Sequence, residues 1–161
     1  MIKEFDNAWA KYQQNLKIIP LPLTCWEFYT NLISEETQFN QIQGGWTDKK
    51  TSLDLYKQKG EILVTDVNLR IIFASKEIHK INGYTPEELI GKTPKMFQGK
   101  ATSKETSCRI GIAVKNQLPF KEVILNYKKN GETYQCHIEA YPKFNSKGKL
   151  INYIAFERIA S

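Results

Sequence analysis

The dipeptide Asn130-Gly131 sits between two long runs of strand-forming residues, about Lys121 to Lys129 and Glu132 to Phe144, and it leaves the chain few choices of fold. A tight hairpin turn needs central residues at positive φ, and Asn-Gly meets that need at little steric cost. The flanking runs are therefore predicted to pair antiparallel. Asn145-Ser146-Lys147-Gly148 is turn chemistry again and leads into a third run, Leu150 to Arg158, giving a three-stranded meander.

Upstream, Glu61 to Asp66 and Leu69 to Ala74 are also rich in strand formers, and the polar Asp66-Val67-Asn68 between them predicts a second hairpin. Short helices are predicted between the hairpin and the meander. One starts at Thr85-Pro86-Glu87-Glu88, where Thr85 caps, Pro86 takes the first helical position and Glu88 closes a capping box. Another is predicted from about Ser103 to Asn116. Two strands, short helices and a meander make an α+β fold.

Residues 1–57 read differently. Ile2, Phe5, Trp9, Tyr12, Leu16 and Ile19 recur at three- and four-residue steps, an apolar seam on one helix. Pro20 and Pro22 end it. A second helix is predicted from the capping box Thr24-Cys25-Trp26-Glu27, with Tyr29, Leu32 and Ile33 on its apolar side, and Gly44-Gly45 breaks the pattern. A short polar helix is expected from about Thr47 to Lys57. Gly60 then marks a boundary, so the division is a helical extension over 1–57, covering a sheet or mediating dimerisation, and a domain over 60–159.

Composition removes several function classes. The longest apolar stretch, Ile18 to Leu23, contains two prolines and falls far short of the roughly 20 residues a membrane helix needs. The N-terminus has no secretory pattern, so the expected location is cytoplasmic. Cys25, Cys108 and Cys136 form no Cys-x-x-Cys pair, and His79 and His137 have no ligand spacing to them, so no metal site is expected. The net charge of +6 comes from scattered lysines and not from a dense stripe with arginines, which argues against nucleic acid. No nucleophile–base pair or phosphate loop is visible, and the chain is not expected to be an enzyme.

Val64-Thr65-Asp66, Ile72-Phe73-Ala74-Ser75, the run from Gly83 to Lys92, Phe97-Gln98-Gly99 and Asn126 to Gly131 occur in an order that resembles the PAS superfamily over residues 60–159. Within it, the segments are similar to the LOV and bacterial sensor-kinase branch. The resemblance implies a five-stranded antiparallel sheet curled around a pocket closed by helices, and a sensory role. LOV photoreceptors form a flavin adduct through the cysteine of Gly-x-Asn-Cys-Arg-Phe-Leu-Gln. Here that stretch reads Gly91 to Gln98, with Thr93 for the asparagine and Pro94 for the cysteine. Proline has no thiol, so such an adduct is excluded.

By the same resemblance the pocket would be lined by Thr93, Gln98, Asn126, Cys136 and Glu157. Cys136 stands for the family's second strand asparagine and Glu157 for its last-strand glutamine. The helix arginine of the family aligns near Gly111, two residues from Arg109. No cofactor is predicted, and a flavin or haem sensor without adduct chemistry is the alternative. A filled core in which Asn126 and Gln98 satisfy each other remains open. An inward Glu157 needs a partner, a raised pKa or a ligand, unless it reaches water at the strand end.

If Asn126 and Glu157 face the pocket, strand alternation sends Val123, Leu125, Tyr127, Ile154 and Phe156 to the other face, joined by Ile62 and Val64. Such an apolar patch needs a cover. The N-terminal helices or a second copy would both serve, so a homodimer is expected alongside an unidentified downstream signalling protein. The chain ends just after the last strand, so the expectation is that the N-terminal part carries output or that the chain is a stand-alone, ligand-free dimerisation or adaptor domain.

Overall fold

The structure is a computed structural model that describes residues 34–48 and 51–160. The proposed seam from Ile2 to Ile19 and the helix from Thr24 lie outside them. The helices described are α1 (Glu35–Gln43), α2 (Leu53–Lys57), α3 (His79–Asn82), α4 (Pro86–Leu89) and α5 (Lys104–Lys115), with 3-10 turns at Lys76–Ile78 and Pro94–Phe97. The strands are β1 (Glu61–Thr65), β2 (Ile71–Ala74), β3 (Phe120–Tyr127), β4 (Thr133–Phe144) and β5 (Leu150–Ile159). They form one antiparallel sheet in the order β2-β1-β5-β4-β3. The α+β class, both hairpins and the meander follow the sequence expectation.

Local chemistry explains the turns. Asp66 Oδ1 accepts from the amides of Asn68 and Arg70, each at 2.8 Å, and so closes the β1–β2 connection. Gly131 adopts φ 87° in the β3–β4 turn, as the Asn-Gly signal requires. Pro86 opens α4, and the Thr85 amide donates to Glu88 Oε2 at 3.0 Å, the carboxylate half of the capping box. Ser103 caps α5 by accepting from the Thr106 amide.

Period-2 alternation sorts the sheet into two faces. Ile62, Val64, Ile154 and Phe156 lie on one face, buried against Phe73, Phe39 of α1, Trp46 and Leu53 of α2. The ring of Phe39 meets those of Trp46, Tyr56 and Phe73 with centroids 5.3 to 5.8 Å apart. Trp46 Nε1 donates to Asn152 Oδ1 at 2.9 Å, and Asn152 Nδ2 donates to the Thr65 carbonyl at 3.0 Å. These bonds tie the cover to β5 and β1.

One expectation changes. The polar helix from Thr47 is shorter and starts at Leu53, because the Thr47 amide and hydroxyl both donate to the Phe144 carbonyl. Residues 35–57 pack with the sheet in one compact unit, Glu35–Ser161. The reason is the apolar surface that Phe39, Trp46 and Leu53 share with β1 and β5. Of the residues proposed for an interface, Ile62, Val64, Ile154 and Phe156 are therefore already covered within the chain. Val123 remains exposed and Leu125 half-buried, while Tyr127 turns to the 99–101 loop, where its hydroxyl accepts from the Ala101 amide at 2.9 Å.

Candidate functional site

On the other sheet face, the strands and the helices between β2 and β3 enclose a cavity of about 480 Å³. Leu63 and Thr65 of β1, Ile124 and Asn126 of β3, Ile138 and Ala140 of β4, and Tyr153, Ala155 and Glu157 of β5 supply its floor. Those positions alternate along each strand, as a one-sided concave sheet requires. Ser107, Ile110, Gly111, Val114 and Lys115 of α5, with Thr93 to Lys95, Phe97 and Gln98, close it from above. Pockets of this size lined mainly by apolar groups with a few polar ones are the usual form of a small-molecule site.

Among the apolar side chains of the lining stand the polar Thr65, Thr93, Gln98, Ser107, Asn126 and Glu157. Asn126 is 3 % exposed and Glu157 2 %, and Asn126 Oδ1 and Glu157 Oε2 have no hydrogen-bond partner. Buried polar atoms without partners are rare in folded proteins, since each forfeits its solvation. Burial pushes the Glu157 carboxyl up to about 7, opposed in part by a hydrogen bond with Cys136. Glu61 lies opposite Glu157 in the β1–β5 register, but its Oε2 accepts from Ser75 Oγ. Gln98 Oε1 accepts from Ser107 Oγ at 3.4 Å.

Thr93, Gln98, Asn126 and Glu157 are all in the lining of this one cavity. Cys136 is not. It is fully buried with Ile81, Ile124 and Tyr134, behind the lining and beside Glu157, and burial raises its thiol pKa. Strand alternation puts it on the correct face, but the β3–β4 hairpin fills with Tyr134 and Ile81 there. Lys95 and Lys115 were not singled out from sequence. They line the cavity and are exposed, and among the described residues they have no ionic partner.

The lining bears on the cofactor alternatives. It holds no histidine, cysteine or methionine, the common axial ligands of haem, and the hydroxyl of its one tyrosine, Tyr153, donates to the Val114 carbonyl. Gln98 and Asn126 offer amides to the ring edge of a flavin, and Asn68, Thr93, Ser107, Lys95 and Lys115 offer polar and charged groups to its hydroxylated, phosphorylated chain. Arg109 is held by Glu122 at 2.7 Å and Glu105 at 2.9 Å, outside the lining. Among the described residues, no group of three or more His, Cys, Asp or Glu side chains could hold a metal ion.

The PAS domain profile matches residues 60–158. Protein TWIN LOV 1 of Arabidopsis thaliana is 33 % identical over 88 residues, covering 54 % of this chain and 22 % of that protein. A blue-light-activated histidine kinase of Brucella ovis is 30 % identical over 97 residues, covering 58 % of this chain and 20 % of the kinase. The chain therefore spans about a fifth of the length of these relatives. The dark structure of the blue-light photoreceptor Aureochrome1 LOV superposes with a TM-score of 0.64 at 24 % identity, over 71 % of this chain and 86 % of that one. The LOV domain of a blue-light-activated histidine kinase from Erythrobacter litoralis gives 0.60 at 19 % identity, over 63 % and 96 %. With the profile spanning most of the chain and the sheet, helices and cavity in the corresponding order, the protein belongs to the PAS domain family.

Proposed function

We propose that this chain is a sensory signalling module whose cavity binds a small molecule and whose packing transmits the bound state. The observation that carries the reading is the cavity of about 480 Å³ between the sheet and α5, lined by apolar side chains with a few polar ones. A packed structural core would leave no space of that size. A ligand in that space favours one arrangement of β5, whose opposite face carries Ile154 and Phe156 under α1 and α2. Ligand occupancy and cover packing thus share one strand, which is what a population shift between two states requires.

The module senses and does not catalyse, acts in the cytoplasm, and passes its state to a separate signalling protein. Its relatives named for blue light support a sensory role, and Pro94 rules out a thiol adduct here. Native mass spectrometry and a visible spectrum of the whole chain purified from its own host test this together. A retained small molecule is expected. Protein that is empty and admits no apolar probe would refute the reading.

Exposed Val123 beside half-buried Leu125 supports a homodimer through the part of the sheet face that α1 and α2 leave uncovered. Sedimentation should give a dimer that Val123→Glu dissociates, and a monomer at high concentration would remove this proposal.

A further inference from the structure

The floor of the cavity is lowest in its middle. Cross-strand register sets Phe120, Ala140, Ala155 and Leu63 in one row across β3, β4, β5 and β1, and all four line the cavity. The neighbouring rows carry larger side chains there, Thr65 and Tyr153 in one, Ile138 and Glu157 in the other. Alanine is disfavoured in strands, where a β-branched or aromatic residue packs better. Here two alanines stand directly opposite each other on β4 and β5. Ala155 stays half-buried although β5 is the central strand of the sheet, because the cavity lies against it.

The roof lacks a side chain at the matching place. Ser107, Ile110, Gly111, Val114 and Lys115 of α5 line the cavity, and at about 100° per residue Gly111 falls inside the arc that the other four span. It belongs to the face that α5 turns to the sheet, and a β-carbon there would meet nothing within 4 Å among the described residues. Two hydrogen bonds fix where it sits. Arg109 Nε donates at 2.7 Å to Glu122, which stands in the row of Ile138 and Glu157. The Tyr153 hydroxyl donates to the Val114 carbonyl at 3.2 Å. The alanine row lies between those two rows and Gly111 lies between Arg109 and Val114, so Gly111 is over the alanines. Inside a helix glycine is the least favourable residue after proline, and no packing against Gly111 accounts for it here.

We infer that Ala140, Ala155 and Gly111 are the specificity-determining residues of the cavity, and that the side-chain volume they leave out seats an apolar group of the ligand between the sheet and the α5 backbone. Strand and helix amides at these positions are committed to their own ladders, so the surface offered is carbon. A polar group placed there would lose its water without replacement bonds. A core that held no ligand would gain stability from larger side chains at these positions, so their size favours space over stability. The inference rests on the cavity of about 480 Å³ being a ligand site and names the residues that size its ligand.

The test pairs a thermal melt with a fluorescence titration of the uncharged, apolar fluorophore N-phenylnaphthylamine. Both are run on the full-length chain and on its Gly111→Ala, Gly111→Leu and Ala155→Leu variants. Gly111→Ala should raise the melting midpoint by about 2 to 4 °C, since it restores helix propensity and meets open space. Gly111→Leu and Ala155→Leu should melt no lower than the parent and bind the fluorophore at least about tenfold more weakly, because the leucine takes its place. Undiminished affinity in both leucine variants overturns the inference and leaves the ligand site standing. A midpoint that falls in all three variants overturns it too, since the positions would then be packed. A parent chain that takes up no fluorophore removes the ligand site itself, and the inference with it.

Discussion

Gly60 lies against the backbone of Glu157 so closely that a β-carbon at position 60 would come within 2.6 Å of the Glu157 carbonyl oxygen. Gly60 also holds φ at 142°, a conformation that side chains with a β-carbon rarely adopt. It is the last residue of the turn that leads from α2 into β1, so the cover and the buried acid Glu157 meet at this contact. Gly60→Ala should therefore destabilise the chain by about 2 to 3 kcal/mol, read in a denaturant titration. A change below about 0.5 kcal/mol would show that the contact relaxes freely.

Glu157 gives the stability a pH dependence of definite sign. Between the ordinary glutamate value and about 7, the folded chain holds a proton that the unfolded chain has released. Stability is then greatest below that window, falls as pH rises through it, and levels off above. The full difference is about 3 kcal/mol. Thermal melts from pH 5 to 8 should show this decline, and Glu157→Gln should flatten it and be the more stable protein at pH 8. Glu61, Cys136 and Tyr134 flank the site, but burial raises the pKa of Cys136 and of Tyr134 above this range, and both stay neutral. An unchanged slope in the variant would mean that Glu157 is ionised in the fold.

Trp46 holds the outer cover by area and by one hydrogen bond. Trp46→Ala should cost about 3 to 5 kcal/mol through the cavity it leaves beside Phe39. Trp46→Phe keeps most of the area but strands Asn152 Oδ1, for about 1 to 3 kcal/mol. Equal losses in the two variants, by chemical unfolding, would mean that the hydrogen bond carries the whole contribution.

Arg109 serves structure and not the ligand. Its guanidinium joins α5 to β3 through Glu122, which holds that carboxyl below the usual range. Arg109→Ala should leave the affinity of the cavity for the uncharged fluorophore N-phenylnaphthylamine unchanged in a fluorescence titration. A marked loss in a variant that still folds would place Arg109 at the cavity mouth instead.

The hairpins, the α4 start and the facing of Asn126 against Val123 were legible because each depends on neighbours within a few residues. Turn chemistry at Asn130-Gly131, the capping group Glu88 and the two-residue period of a strand are local properties. Gln98, Asn126 and Glu157 could be grouped only through the family pattern, because no spacing in the chain brings positions so distant together. Cys136 followed the same period and still missed the cavity, since Tyr134 and Ile81 occupy the volume in front of it. Lys95 and Lys115 gave no signal among many lysines, and only the assembled fold put both in the lining of one cavity.

The sequence by itself determined where the strands run, how they turn and which side chains share a face, because backbone conformation and alternation act over short distances. Tertiary structure alone decided what covers each face: residues 35–57 on the outer one, and on the inner one a cavity in place of a filled core. Those outcomes depend on how volumes from distant segments fit, and close packing is a property of the assembled chain.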